Sequence, residues 1–273
     1  MNLADGFRAL QPSIVALCAR FVPAEPRPAF PPIIGTGFVV GSDGIVATNR
    51  HVVEALQNLP RIEGVAETSA LALVFTPPEK VETAQAVCAL PVAVLQCAAP
   101  AIRPVTPYYY GPEYPDIAFV QIAMGGLPEV HLADEPWSVD VGTAVATAGF
   151  PLGEDPLVAN GIVSQVTPML RQGIVSSLQP FPCPKPHGFT LDSMSQGGQS
   201  GSPIFRVSDA AVVGMLYAGY ENTNITFAVT SSFISGALRA LRERTIFPPR
   251  ELPTLSEERK TRNFRKGVAW RAV

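Results

Sequence analysis

Apolar residues along the chain come mostly in short runs rather than in helical stripes, and glycine, proline or polar turn residues separate them. Runs of this length, rich in Val and Ile, predict β-strands. They fall at Gln11–Leu17, Gly35–Val40, Ile45–Thr48, Leu71–Phe75, Val92–Leu95, Ile117–Ile122, Ala144–Ala148, Gly161–Ser164, Val212–Tyr217 and Ile225–Val229, with an apolar pair at Ile204 and Phe205. Gly41-Ser42-Asp43-Gly44 between two runs reads as a hairpin turn. A period near 3.6 appears clearly in one segment, Ser231–Arg244, where Ile234, Ala237, Leu238 and Leu241 share a face and Ser231 or Ser232 is placed to cap it. No repeat at a solenoid period is present. The expectation is an all-β chain with a C-terminal helix.

Composition sharpens this. The 273 residues are 47% hydrophobic and 16% charged, with a net charge of −3, so a large core is affordable and nothing global selects for nucleic acid. The 28 prolines are about twice ordinary usage, which suits a loop-rich β protein. The four cysteines, Cys18, Cys88, Cys97 and Cys183, are too scattered for a disulfide framework, though a Cys88–Cys97 bridge stays open. Cys183 and His187 lack a second ligand pair, so no metal is expected. The run Ile14–Ala19 is too short for a signal peptide, and Ala84–Ile102 is broken by Gln85, Pro91, Gln96 and Pro100. No membrane span and a cytoplasmic location are therefore expected. Tyr108-Tyr109-Tyr110 either caps a core or rims a groove, the cap being the commoner use. The stretch 248–273 is basic and expected to be a solvated tail.

Chemistry concentrates in three places. Gln196-Gly197-Gly198-Gln199-Ser200-Gly201-Ser202-Pro203 sets a serine on a glycine-rich turn before an apolar pair. Such a turn can aim backbone N–H groups at a developing oxyanion. His51 follows a predicted strand and begins a short helical turn, a setting that His131 and His187 lack. Asp116 precedes the strand Ile117–Ile122, either as a surface turn residue or as a buried orienting carboxylate. A serine hydroxyl needs a base to act as nucleophile, imidazole serves at neutral pH, and a carboxylate fixes its tautomer. The order His51, Asp116, Ser200 is that of the chymotrypsin arrangement.

With these residues in view the sequence resembles the HtrA/Deg-type serine proteases of the trypsin-like superfamily. The matching stretches are Thr36–Val40 through Asn49–Val53, Asp116-Ile117-Ala118, Leu132-Ala133-Asp134, Val141-Gly142, Ala148–Pro151, Gly161–Ser164, Leu191-Asp192-Ser193 and Gly198–Gly201. They span about residues 11–244. The resemblance implies two six-stranded antiparallel β-barrels, at about 11–125 and 126–230, then a helix at 231–244, together a peptidase domain over 1–247. It implies a cofactor-free endopeptidase acting on protein or peptide substrates. His51 would be the base, Asp116 the orienting acid and Ser200 the nucleophile, with the N–H groups of Gly198 and Ser200 as oxyanion hole. Tyr217, Ala218 and Gly219 would pair with substrate, and Met194, Ser195 and Thr226 would complete the specificity pocket. With no acid at the pocket base and Thr226 in place of a common glycine, cleavage after small or medium apolar residues is expected. Asp192 is expected to be a hydrogen-bonded turn residue.

Two positions depart from the family pattern. Gln199 stands where relatives carry Asn or Asp, and Ser202 replaces the usual glycine, so that its Cβ is expected to crowd the turn. Ile33-Ile34-Gly35 looks like a trypsin-type activated terminus but has no acidic partner, and no such activation is expected. Too few residues follow Arg244 for a PDZ-like domain. The rival reading is a latent protease-fold protein that acts as a binding or chaperone module. An esterase using the same triad has no separate support, since Ser200 is not in a strand-to-helix elbow.

Overall fold

In the computed structural model the described residues are 1–19, 31–59, 70–76, 86–96, 115–133, 139–153, 167–179, 186–244 and 252. The expected strand at 161–164, most of the proline-rich loop at 23–32, the tyrosine loop at 108–110, Cys97, Cys183, the side chain of Cys88 and, apart from Leu252, the tail lie outside them.

Twelve strands form two closed antiparallel barrels. The first contains β1 (Ile14–Ala19), β2 (Ile33–Gly41), β3 (Ile45–Thr48), β4 (Ala70–Thr76), β5 (Ala86–Gln96) and β6 (Ala118–Ile122), in the order β1-β2-β3-β6-β5-β4. The second contains β7 (Ala144–Gly149), β8 (Met169–Gln179), β9 (Gly188–Asp192), β10 (Pro203–Arg206), β11 (Val212–Gly219) and β12 (Ile225–Thr230), in the order β7-β8-β9-β12-β11-β10. The two orders are the same, one barrel repeating the topology of the other. Closure leaves neither sheet with a free edge. This is the chymotrypsin-like architecture.

Each barrel has its own apolar filling. Val15, Leu17, Val39, Val46 and Val120 fill the first, and Val145, Leu191, Ile204, Val213 and Ala228 fill the second. Two further clusters join the barrels. One lies beneath α3 (Ser231–Arg244), whose Ile234, Ala237, Leu238 and Leu241 meet Phe38 and Phe119 from one barrel and Phe205 and Met215 from the other. The second sets Leu73 and Phe75 of β4 against Ala148 and Phe150, with the Phe75 and Phe150 rings stacked at 5.4 Å.

The structure departs from the sequence reading in several places. Gln11–Ser13 is a turn of 3-10 helix, so β1 starts at Ile14. Pro12 in the first turn of that helix gives up no ladder donor. Helix α1 (Leu3–Leu10) was not expected. Asn2 caps it, accepting from the Asp5 N–H at 2.9 Å, and it rests near Phe205 and Ala210 of the second barrel. Strands β8 and β9 were likewise missed. Ser231 is the first residue of α3, and its hydroxyl donates to the Ala133 carbonyl (2.7 Å), while Ser232 pairs with Thr230 (2.9 Å). The expected cap is therefore a tether between the helix and the segment entering the second barrel.

Candidate active site

β3 ends at Thr48 and leads through Asn49 into α2 (Arg50–Gln57), so His51 stands in the first turn of a helix fixed to a barrel strand. Asn49 is buried and occupies the cap position, yet its side chain makes no cap bond. It donates instead to the Asp116 carbonyl at 2.8 Å. Asp116 supplies the missing cap. Its Oδ1 accepts the backbone N–H of His51 at 3.1 Å, and its Oδ2 lies 2.5 Å from His51 Nδ1. An orphan helix amide and the ring nitrogen are thus both satisfied by one carboxylate at a helix N-terminus, where negative charge is favoured. The pairing assigns the ring proton to Nδ1 and leaves Nε2 as the acceptor. Asp116 is thus bonded to His51 through both carboxylate oxygens and is not a lone surface turn residue. The His51 side chain is 46% exposed and that of Asp116 17%, so the imidazole is open to solvent and the acid largely covered.

Ser200 stands on the turn before β10 of the other barrel, and its carbonyl meets the start of β2 beside α2. The Thr36 N–H of β2 donates to the Ser200 carbonyl at 2.8 Å. Next to it, a Cβ on Gly35 would come within 2.7 Å of Val52 and 3.2 Å of the Ser200 carbonyl oxygen, so only a bare glycine lets the serine turn and α2 approach so closely. Ser200 Oγ is not hydrogen-bonded to His51. Catalytic hydrogen bonds are often long until substrate closes the site.

The turn before Ser200 is held carbonyl by carbonyl. The Gly197 oxygen accepts from Leu152 N–H (2.6 Å), the Gly198 oxygen from the Thr36 hydroxyl (2.8 Å), and the Gln199 oxygen from Ser202 N–H (2.9 Å). In a planar trans peptide the carbonyl and the following N–H point opposite ways. Fixing the Gly197 and Gln199 carbonyls therefore directs the Gly198 and Ser200 N–H groups away from those anchors. Neither N–H is bonded to another described residue. Gly198 has φ +86°, and a Cβ there would strike the Phe150 carbonyl, so glycine is required on both counts.

Both residues that depart from the expected pattern are buried, and each leaves a side-chain atom, Gln199 Nε2 and Ser202 Oγ, without a hydrogen-bond partner among the described residues. Gln199 is fully buried and folds back on its own turn, Oε1 accepting the Gln196 N–H at 3.0 Å. The Ser202 side chain is turned towards the end of β7. It is fully buried with its hydroxyl against Gly149, in the space a side chain there would fill. Ile33-Ile34-Gly35 is the start of β2, with Ile33 and Gly35 paired to Cys18 and Leu17 of β1.

The remaining expected residues lie on β11, β12 and the segment after β9. Met194 is exposed, and its carbonyl accepts from Arg171 at 2.6 Å, whose other nitrogen reaches Gln196 Oε1 at 2.8 Å. Sequence reasoning missed Arg171, which carries no motif of its own. Gly219 and Thr226 are partners across β11 and β12. A Cβ on Gly219 would collide with the Ser195 hydroxyl, so that serine leans on the Gly219 backbone. Thr226 is fully buried and donates its hydroxyl to the Ser193 carbonyl at 2.5 Å. Tyr217 is half-buried, and Ala218 and Gly219 are exposed along the strand. Asp192 is exposed at the end of β9, and its carboxylate makes no hydrogen bond among the described residues, contrary to the expected turn role. His187 lies instead beside α3, edge-on to Phe233 at 5.6 Å, and burial lowers its pKa. Among the described residues no group of three His, Cys, Asp or Glu side chains is arranged to hold a metal, and no helix is long and apolar enough to cross a membrane.

A profile of the trypsin-like peptidase domain matches residues 35–215. The chain belongs to the trypsin-like peptidases. Such a family is one of serine proteases, whose substrates are proteins. A serine endoprotease from Yersinia pestis has a similar structure, with TM-score 0.53 and 15% sequence identity over 89% of this chain and 68% of that one; at that identity the likeness speaks to fold alone. No curated protein sequence matches the chain. The matched interval of this peptidase runs from Gly35, beside the serine turn, through His51, Asp116 and Ser200 to Met215.

Proposed function

We propose that this trypsin-like peptidase is an active serine endopeptidase working through His51, Asp116 and Ser200. As the hydroxyl of Ser200 attacks the scissile carbonyl carbon, His51 Nε2 takes its proton. The carbonyl oxygen becomes an oxyanion and accepts from the Gly198 and Ser200 N–H groups, each such donor being worth about 3 kcal/mol in the transition state. His51 then returns the proton to the departing amine, leaving an acyl-enzyme on Ser200. Water, deprotonated by the same ring, releases the acid and restores the serine. Asp116 keeps its charge throughout and steadies the imidazolium.

The observation that carries this reading is the grip of Asp116 on His51, with one oxygen on the ring and the other on its backbone. A structural histidine does not need its nitrogen aimed with its own amide as a second reference. The specificity proposed is for small or medium apolar residues, because Ser195 closes on Gly219 and Thr226 bridges to Ser193 among the residues assigned to the pocket. Tyr217 to Gly219 would hold the extended substrate by backbone pairing.

A fluorophosphonate probe tests the proposal. Labelling is expected on Ser200 of the wild type, and on neither Ser200→Ala nor His51→Ala. A wild type that folds and stays unlabelled refutes the peptidase reading and leaves the binding-module reading. A peptide library cut preferentially after Arg or Phe would refute the pocket assignment.

A further inference from the structure

The turn that carries the oxyanion amides does not hold itself in place. Glycine at 198 rotates at little cost. If the peptide between Gly197 and Gly198 turned over, it would exchange an inward N–H for an inward carbonyl. Two bonds oppose that rotation from either side of Gly198: Leu152 N–H on the Gly197 oxygen and the Thr36 hydroxyl on the Gly198 oxygen. Thr36 makes the second directly and is linked to the first through Phe150. Its Oγ1 donates to Gly198 and also accepts from the Phe150 N–H at 3.3 Å. Phe150 opens the tight turn that closes with Gly153 N–H on the Phe150 oxygen (3.1 Å) and presents Leu152. Leu152 keeps that place with φ +59°, unusual for a residue with a Cβ.

Thr36 is itself fixed in a fully buried position, its carbonyl accepting from Thr48 Oγ1 at 2.7 Å on the strand that leads to His51. Of the bonds made to the carbonyls of Gly197, Gly198, Gln199 and Ser200, the one from the Thr36 hydroxyl is the one made by a side chain; the others come from backbone N–H groups. It is also a bond between barrels.

We propose that the Thr36 hydroxyl is a positioning group for the oxyanion hole: it sets the peptides around Gly198 and, through Phe150, the turn that presents Leu152. Thr36 touches no reacting atom. The inference rests on the peptidase reading above, deepening it by naming what keeps the hole formed without substrate.

The test compares Thr36→Val, which keeps the shape and removes the hydroxyl, with Thr36→Ser, which keeps the hydroxyl. Thr36→Cys, a weak donor of similar size, is the second variant should Val not fold. The readouts are kcat and KM on a peptide substrate and the affinity for an alanine-terminated peptidyl boronate, whose tetrahedral adduct occupies the hole. The expected result is a loss of roughly ten- to a hundredfold in kcat and in boronate affinity together, at nearly constant KM, restored by Ser and partial in Cys. A folded Val or Cys variant with kcat and boronate affinity within about twofold of wild type overturns the proposal, as does a loss confined to KM. Failure of the parent reading is seen separately, as a wild type that does not label on Ser200. In that event a crystal structure of the variant decides: a Gly197 carbonyl still seated on Leu152 N–H overturns the role of Thr36, and a turned peptide upholds it.

Discussion

Ser202 and Gly149 are the clearest case of two residues chosen for one another. The serine hydroxyl is buried without a hydrogen-bond partner, and it stands where a methyl on residue 149 would project. Gly149→Ala is therefore expected to lower the unfolding free energy by about 1–3 kcal/mol through overpacking. Ser202→Ala is expected to be neutral or stabilising, by up to about 1 kcal/mol, because it removes a buried polar atom that nothing satisfies. Combining the two substitutions should recover part of the glycine variant's loss. Urea denaturation of the four proteins of the cycle checks this, and additive effects would show that the contact is not the cause. The expectation that Ser202 would crowd the turn followed from its own neighbours in sequence. The glycine that makes room lies 53 positions away, at the end of β7.

At the scale of elements, what was legible was what obeyed a simple period. β2, β3 and β6 are largely apolar runs buried nearly throughout, β11 and β12 are buried over more than half their length, and each stood out. β8 did not, because most of its side chains face solvent and its register shifts between Val175 and Ser177, so that buried Val175 and Leu178 are three apart rather than two. α1 hid because it is short and its apolar face is defined by a strand some two hundred residues on. Of the site, motif order was enough to nominate the three side chains. The bonds that hold the turn could not be read from it, since Thr36 looks like any strand threonine until its partners are seen. The contact between His187, just before β9, and Phe233 of α3 gives a pH prediction. Burial lowers the pKa of His187 from 6.5, so the unfolded chain takes up that proton more readily than the folded one. The contribution is fully present above pH 6.5 and is lost progressively as the pH falls from there towards the folded value. Urea midpoints at pH 7 and pH 5 should show a larger acid-side decline for wild type than for His187→Gln. Parallel declines would remove His187 from the account.

For the whole molecule, the catalytic arrangement proposed above belongs to neither barrel alone. His51 and Asp116 come from the first and Ser200 from the second, and the bonds from Thr36 cross between them. Phe75→Ala, which empties one side of the stack on Phe150, is expected to cost about 3–5 kcal/mol in global stability. It should also reduce turnover, because Phe150 opens the turn that braces the serine loop. Unchanged melting and unchanged turnover in that variant would show that the second cluster is not part of the brace. The stacked pair has a further consequence for how the protein ages under heat. Two closed sheets with separate fillings can each survive a slight parting, whereas proton transfer across the seam cannot. On slow warming, cleavage should cease at a lower temperature than the one at which the circular dichroism of the strands disappears, and return on cooling from within that interval.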